Sequence, residues 1–386
     1  MKNKKTFIIL VAIILIIAVI IGINLYQKQK EAGVVKIGVI TPLTGPWATY
    51  GLATKQGLEL ALEVINNSKD LNEFKIKLIY EDSKGEPKNA INAFKKLVNI
   101  DKVVAVIGGF RSSETLAMAP EAEKSKIVLF SASSTADEIK YAGDYIFRNV
   151  PSNNIQGQTA AHFVIDALHK NTAAIFYQND DYGKSLSEGF KSEFEKKGGR
   201  ILITEVFEGG QTNFRDPIIK IKLKNPEVIF FPGNYQECGK ILRQSKELAL
   251  NSIFVGGDGA YSTDLIKIAG DAAEGSFYTI MSLGEGLADS LVSDFKIKFK
   301  EKYGKYVDVY AAYAYDALLT LVMAIKKSGA DPDKIKNALY KIKYIGITGL
   351  NEFDEFGEVK KFYSIYVIKN KNFERVNFID KGTNIK

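Results

Sequence analysis

The feature that most narrows the possible folds is an alternation of short apolar runs with helically spaced segments, and the alternation occurs twice. Val35–Ile40 is β-branched and apolar, and a loop at Thr41–Thr49 carries Pro42, Gly45 and Pro46. Tyr50–Asn66 follows with Leu58, Ala61, Leu62 and Ile65 at helical spacing. Ile76–Tyr80, Val103–Ile107 and Ile127–Phe130 read as further strands, separated by helices near Lys88–Asn99 and Ser113–Ser125. From Asn154 the plan restarts. A helix at Asn154–His169 precedes strand Ala173–Tyr177, helix Tyr182–Lys197, strands Ile201–Val206 and Val228–Phe231, helix Tyr235–Leu248 and strand Ile253–Val255. Strands that are apolar on both faces and alternate with helices make parallel, doubly wound sheets. Two such runs predict an α/β chain of two similar lobes, and 386 residues suffice for two cores.

Beyond Gly284, helices near Ala288–Tyr303, Val309–Ser328 and Pro332–Lys341 follow one another without strands, and Gly349–Asn377 reads as antiparallel β. These pieces complete the two lobes. The expected division is residues 34–150 with 281–350 in the first lobe and 151–280 with 351–386 in the second.

Residues 1–33 stand apart. Phe7 to Ile23 is an unbroken apolar run of 17 residues preceded by Lys2, Lys4 and Lys5. That length is at the short end of a bilayer span and exceeds a usual signal-peptide core. The lysines favour a cytoplasmic start, which exports everything after Asn24. No small-residue cleavage site or lipidatable cysteine precedes Val34. A helix anchored in the membrane through residues 7–25 is therefore expected, with a removed signal as the alternative. Either way, the body is extracytoplasmic.

Charge excludes one class. The formal net charge is +7; Lys2, Lys4, Lys5, Lys28 and Lys30 against Glu31 contribute +4 of it, so the rest of the chain carries only +3, with signs mixed. No basic block suggests a nucleic-acid groove. Cys238 is the only cysteine, so the chain can form neither an internal disulfide nor a cysteine-based metal centre.

Catalytic motifs fail on inspection. Gly183-Lys184-Ser185 opens a helix like the end of a phosphate-binding loop, but Gln178 stands where the first glycine is required. Neither G-x-G-x-x-G after a strand nor G-x-S-x-G occurs. His162 and His169, the only histidines, fall on one expected helix, and helix-face histidines are usually structural. No metal, cofactor or nucleophile–base pair is expected.

What remains is a set of hydroxyls, aromatics and one carboxylate at the C-terminal ends of strands, where open α/β sheets bind ligands. Ser112 and Ser113 open a helix, so amides and hydroxyls converge there on an anion, although serine also caps helices routinely. Ser131, Ser133, Ser134 and Thr135 follow the next strand, where a polar turn is the plain alternative. On the other lobe stand Tyr182, Tyr235 and Asp258, the last within Gly256-Gly257-Asp258-Gly259. A carboxylate beside two aromatics can hold an ammonium. Anion-binding groups on one lobe and cation-binding groups on the other describe a receptor for a zwitterion. As a loop carboxylate, Asp258 is expected to matter little to fold stability.

At these residues the sequence resembles the branched-chain amino-acid-binding (Leu/Ile/Val-type) family of ABC-transporter solute-binding proteins, which have the type I periplasmic binding protein fold. The resemblance spans roughly Val35 to Val367. It is carried by VKIGVITPLTGPWATYG at 35–51, YEDSKGEPKNA at 80–90, VIGGFRSSET at 106–115, SASSTADE at 131–138, NDDYG at 179–183 and VGGDG at 255–259. It implies three crossover strands, near Val150, Tyr278–Ser282 and Gly349–Phe356, and closure of the lobes about a hinge. By position, Ser112, Thr135 and the backbone of Ser133 would bind a ligand carboxylate. Tyr182 and Asp258 would hold the amine, with Tyr235 lining the closing lobe. Trp47, Tyr50, Phe110 and Tyr310 would form the side-chain pocket. Two positions depart from the pattern: Arg111 stands where some relatives carry a disulfide, and Asp258 is shorter than the usual glutamate.

The resemblance thus implies a receptor of an ABC importer that takes an amino acid, branched-chain or otherwise apolar, and hands it to a permease and its ATPase. A sensory receptor, or a binder of an amide or urea, would share the fold. The chain is expected to be a monomer, and Arg111 is expected as an exposed rim residue, with contact to an acidic ligand side chain as the alternative.

Overall fold

The computed structural model describes residues 33–68, 74–284, 286–378 and 380. The apolar segment of residues 7–25 lies outside these.

The first sheet contains β1 (Gly33–Thr41), β2 (Phe74–Asp82), β3 (Ala105–Gly108), β4 (Val128–Ser131) and β5 (Ile146–Arg148), all parallel in the order β2-β1-β3-β4-β5. β1 is an interior strand, and Val35, Ile37, Val39 and Ile40 supply apolar side chains to both of its faces, all four buried. Its helices are α1 (Ala48–Asn67), α2 (Pro87–Lys96) and α3 (Ser112–Ser125). The helix expected through Asn99 ends at Lys96 and continues as a π turn, Leu97–Asp101.

The second sheet repeats the plan. α4 (Asn153–His162) leads into β6 (Thr172–Gln178), α5 (Asp181–Lys196), β7 (Arg200–Phe207), α6 (Arg215–Lys224), β8 (Val228–Phe230), α7 (Tyr235–Glu247), β9 (Ile253–Gly256), α8 (Thr263–Ala269) and β10 (Phe277–Met281). Its parallel part runs β7-β6-β8-β9-β10, the same order as the first sheet. The chain then returns to the first lobe as α9 (Asp289–Tyr303), α10 (Val309–Ser328), α11 (Pro332–Leu339) and the two-stranded β11 (Lys343–Gly346) and β12 (Gly349–Glu352). Finally β13 (Tyr363–Lys369) and β14 (Asn372–Arg375) extend the second sheet antiparallel beside β10.

α10 is apolar and long enough for a membrane span, yet 78% of its apolar window is buried; it is a core helix packed on α1. The two helices meet at Gly57, where a Cβ would fall 2.0 Å from the Ala311 carbonyl oxygen. Any side chain there would force the helices apart.

α6 is not evident in the sequence pattern. Ile219, Ile221 and Leu223 alternate with lysines, which imitates a strand, but only Ile218 and Ile221 face the core while Leu223 is 80% exposed. His169 does not share a helix with His162: it follows a π turn and adopts a left-handed backbone, φ +55°. His162 is structural, set between Glu193 (3.0 Å) and Asp380 (2.7 Å).

The chain passes between the lobes three times: after β5, after β10, and between β12 and β13. Hydrogen bonds tie these passages together. Asn149 donates to the Tyr313 carbonyl (3.0 Å), the Tyr313 hydroxyl to the Ser282 carbonyl (2.8 Å), and the Tyr363 hydroxyl to the Pro151 carbonyl (3.0 Å). Beside them Lys361 is buried, donating to Thr348 (2.7 Å) and Asn351 (2.9 Å), while Thr348 in turn is held by Asp316. Burial lowers the Lys361 pKa to about 7.

Candidate functional site

In a sheet ordered 2-1-3-4-5, the strand order reverses beside the first strand, and the loops leaving the sheet diverge there to open a crevice. The first sheet has this point between β1 and β3, the second between β6 and β8. The two points face each other across the interlobe cleft, where loops of both lobes line a small cavity.

Eight of the ten sequence-expected residues line this cavity: Trp47, Phe110, Ser112, Ser133 and Thr135 from the first-sheet loops, Tyr182 and Asp258 from the second, and Tyr310 from the start of α10. Tyr50 and Tyr235 do not. Tyr50 is fully buried behind the wall, stacked on Phe110 (5.2 Å between centroids) and edge-on to Tyr310 (5.1 Å); its hydroxyl donates to the Gly259 carbonyl at 2.6 Å. Tyr235 packs edge-on against Tyr50 at 5.4 Å. Both carry the aromatic wall rather than form its surface.

The polar end on the first lobe is built around Gly109. Its φ of +73°, and a position where a Cβ would lie 2.0 Å from Thr115 Oγ1, require glycine. Its carbonyl accepts hydrogen bonds from Ser131 (3.0 Å) and Ser134 (2.7 Å). The Ser133 hydroxyl donates to the Phe110 carbonyl (2.9 Å). These three hydroxyls therefore serve the loop itself, and the polar-turn reading holds for them. Others are uncommitted. Ser112 Oγ accepts the Ala136 amide (3.1 Å), which leaves its proton to donate. Ser113 Oγ and Thr135 Oγ1 are buried without a partner. They make a pair of hydroxyl donors at the cavity without an acceptor. Arg148 fixes the Thr135 loop from behind, donating to the Ala136 carbonyl at 2.7 Å.

The second lobe supplies the opposite charge. Asp258 is only 2% exposed. Its Oδ1 accepts from Gln156 Nε2 (2.8 Å) and the Tyr182 hydroxyl (2.9 Å). The Tyr310 hydroxyl reaches over from the other lobe to the Asp258 carbonyl (3.0 Å), with Oδ2 at 3.5 Å. Burial raises the Asp258 pKa against the lowering effect of the Gln156 and Tyr182 bonds. Burial, followed by the Asp258 charge, also keeps Tyr182 protonated well past its ordinary range, so it remains a donor. Among the described ion pairs, none neutralises Asp258. A buried carboxylate without a cation is costly, and this one faces a cavity into which a cation fits.

Ser113, expected with Ser112 at an anion site, and Arg111 also line the cavity, and three further lining side chains carry no sequence expectation: Gln178, Asp180 and Asn234. Gln178 ends β6, and Asp180 and Asn234 lie just beyond β6 and β8, where the strand-end rule applied to Tyr182 would have found them. Gln156, which holds Asp258, comes from the first turn of α4 and carries no such signal. Arg111 is no exposed rim residue: it pairs with Asp180 at 2.9 Å, and its guanidinium carbon lies 4.7 Å from the Trp47 ring centroid.

Comparison with known proteins agrees with this architecture. The periplasmic binding protein family matches residues 34–372, and the chain belongs to that family. The leucine-, isoleucine-, valine-, threonine- and alanine-binding protein of Pseudomonas aeruginosa is 31% identical over 88% of this chain and 91% of its own length. A leucine-binding protein, LivK, of Thermotoga maritima superposes with a TM-score of 0.85 at 28% identity, covering 90% of this chain and 99% of its own. LivJ of Streptococcus pneumoniae, crystallised with isoleucine, gives 0.81 at 27% identity over 89% and 99%.

Proposed function

We propose that this chain is the extracytoplasmic receptor of an ABC importer, binding an amino acid, branched-chain or otherwise apolar, in the interlobe cleft and delivering it to the permease and its ATPase. The observation that carries this reading is the pairing of two unmet needs across one cavity. Asp258 is a buried carboxylate without a cation, and the Ser113 and Thr135 hydroxyls are donors without an acceptor. A zwitterion satisfies both. The ammonium sits by Asp258 and Tyr182, and the carboxylate by Ser112, Ser113 and Thr135. Trp47, Phe110 and Tyr310 offer rings to the side chain. The names of the related proteins, which bind leucine, isoleucine and valine, support the apolar choice.

The same reading divides the chain into lobes of residues 34–150 with 281–350 and 151–280 with 351–386. It places a monomer on the outer face of the membrane, held by residues 7–25. Calorimetric titration of the exported part against leucine, isoleucine, phenylalanine, glutamate, acetamide and urea tests it. Tight binding of an apolar amino acid is expected; tighter binding of glutamate or an amide would reject the assignment.

A further inference from the structure

Arg111 and Asp180 sit on opposite lobes, Arg111 after β3 and Asp180 after β6. Their ion pair (2.9 Å) closes over the cavity mouth, with the side chains 20% and 12% exposed. Three contacts fix the guanidinium. It lies over the Trp47 ring, Nη1 donates to the Gly85 carbonyl at 2.9 Å, and Nη2 meets Asp180 Oδ2. Asp180 is equally constrained. Its Oδ1 caps α5 by accepting the Gly183 amide (2.8 Å), and its Oδ2 also accepts from Gln178 Nε2 (2.9 Å). Gln178 Oε1 in turn accepts the Asn234 amide at 3.0 Å.

Exposed ion pairs contribute little because flexible side chains must be ordered and water screens them. Here both groups are already ordered by partners within their own lobes, and little water reaches them. The pair also spans the cleft, so any separation of the lobes breaks it. We infer that Arg111 and Asp180 form a latch specific to the closed state, and that the latch sets how long a ligand stays bound rather than how fast it arrives. This rests on the reading of the cleft as a ligand site with mobile lobes. Neither residue is asked to touch the ligand's charged groups; both act as positioning residues that hold the lid shut over Trp47.

The test uses Arg111→Ala, Asp180→Asn, their combination and the exchanged pair Arg111→Asp with Asp180→Arg. Asp180→Asn keeps an oxygen for the Gly183 amide, so loss of the cap is separated from loss of the charge. Trp47 is the only tryptophan, and its fluorescence reports the latch directly. By stopped flow with leucine, each single variant should release ligand about 10- to 100-fold faster with association nearly unchanged. The double variant should be no worse than either single one.

A second measurement needs no ligand. Spin labels at Lys88→Cys and Lys191→Cys, on α2 and α5, read the distance between lobes; Cys238 is buried and should stay unlabelled. Arg111→Ala and Asp180→Asn should each shift that distribution to longer distances. Unchanged distances together with unchanged release rates would overturn the latch. If leucine and the other amino acids fail to bind the wild type while the label distances still lengthen in the variants, the ligand assignment fails and the latch stands.

Discussion

Replacing Asp258 with Asn changes one charge and almost no shape, so its consequences can be worked out from the geometry. The Asn carbonyl oxygen takes the place of Oδ1 and keeps the Gln156 and Tyr182 bonds, which measure 2.8 and 2.9 Å in the wild type. The amide nitrogen replaces Oδ2, and Tyr310, 3.5 Å away, can turn its hydroxyl to accept. What disappears is the negative charge that meets the ligand's ammonium. Losing one partner of a desolvated pair costs about 2–5 kcal/mol, which is ~30- to several-thousand-fold in affinity. The ligand-free protein should respond in the opposite sense. Its folded-state pKa is raised, so the ionised carboxylate destabilises the fold increasingly as pH rises from the unfolded pKa through the folded one. At neutral pH the Asn variant should therefore melt at the same temperature as the wild type or higher. Binding carries the mirror-image pH dependence. Wild-type affinity should fall as acid protonates Asp258, at a pH above that of an ordinary aspartate, whereas the variant should show no such step. Calorimetry of both proteins with leucine and with its des-amino analogue isolates the charge. The wild type should prefer leucine strongly and the variant should not. An equal loss for both ligands, or a ligand-free variant that melts several degrees lower, would refute the reasoning and reduce Asp258 to a turn residue.

Other perturbations test other parts of the structure. Lys361 has a folded pKa depressed to about 7 from an unfolded value of 10.5, so stability should rise with pH between those values, by up to about 1.4 kcal/mol per unit. Lys361→Met should flatten that slope in denaturant titrations at pH values below 10, before the buried tyrosines ionise. Gly109→Ala should cost roughly 2–4 kcal/mol by chemical denaturation, from a left-handed backbone and a clash with Thr115, and should weaken leucine binding as the serine loop shifts. The full chain should stay with membranes through a high-salt wash while a chain beginning at Val34 is soluble; native protein whose N-terminus starts near residue 30 would reject the anchor.

The two-lobed plan was legible because buried parallel strands leave a continuous apolar signature, as in Val35–Ile40 and Ala173–Tyr177. The elements missed are those whose residues signal something else. α6 reads as a strand because lysines alternate with isoleucines on a helix that buries a single narrow face. The short α8 and β5 are too brief for any period to show. The site was legible to the extent that strand ends are. Loops after β3, β4, β6 and β9 line the cavity, and eight of ten chosen side chains reach it. Depth was not legible. Nothing in the sequence distinguishes Tyr50, behind the wall, from Phe110, on its surface, since both are aromatics near a strand end. Nor could sequence reveal which residues bury Asp258. Its burial is produced by Gln156, Tyr182 and Tyr310, which come from three separate elements and one of them from the other lobe.

That last fact bears on how the lobes respond to a ligand. Bringing the lobes together buries a carboxylate on one side and donors on the other, at Asp258 and at Ser113 and Thr135, and the cavity keeps them from meeting. Without ligand, closure therefore removes water from both sets, bringing the Tyr310 hydroxyl to Asp258 but no cation, and no acceptor to Ser113 or Thr135. Each unpaired buried group costs on the order of 1–3 kcal/mol, more for the charged one. The Arg111–Asp180 pair, the Tyr50 bond to the Gly259 carbonyl and the bond from Gln236 to the Pro46 carbonyl favour closure and offset part of that cost. A zwitterion removes the rest by pairing with both ends at once. An uncharged molecule of the same shape, or one carrying a single charge, satisfies at most one end and leaves the other exposed to the same penalty. A ligand shifts an equilibrium only by its difference in affinity for the two states, and in this cleft that difference resides in the two polar ends. The apolar wall of Trp47, Phe110 and Tyr310 then selects among amino acids, while the charges decide whether the lobes close at all.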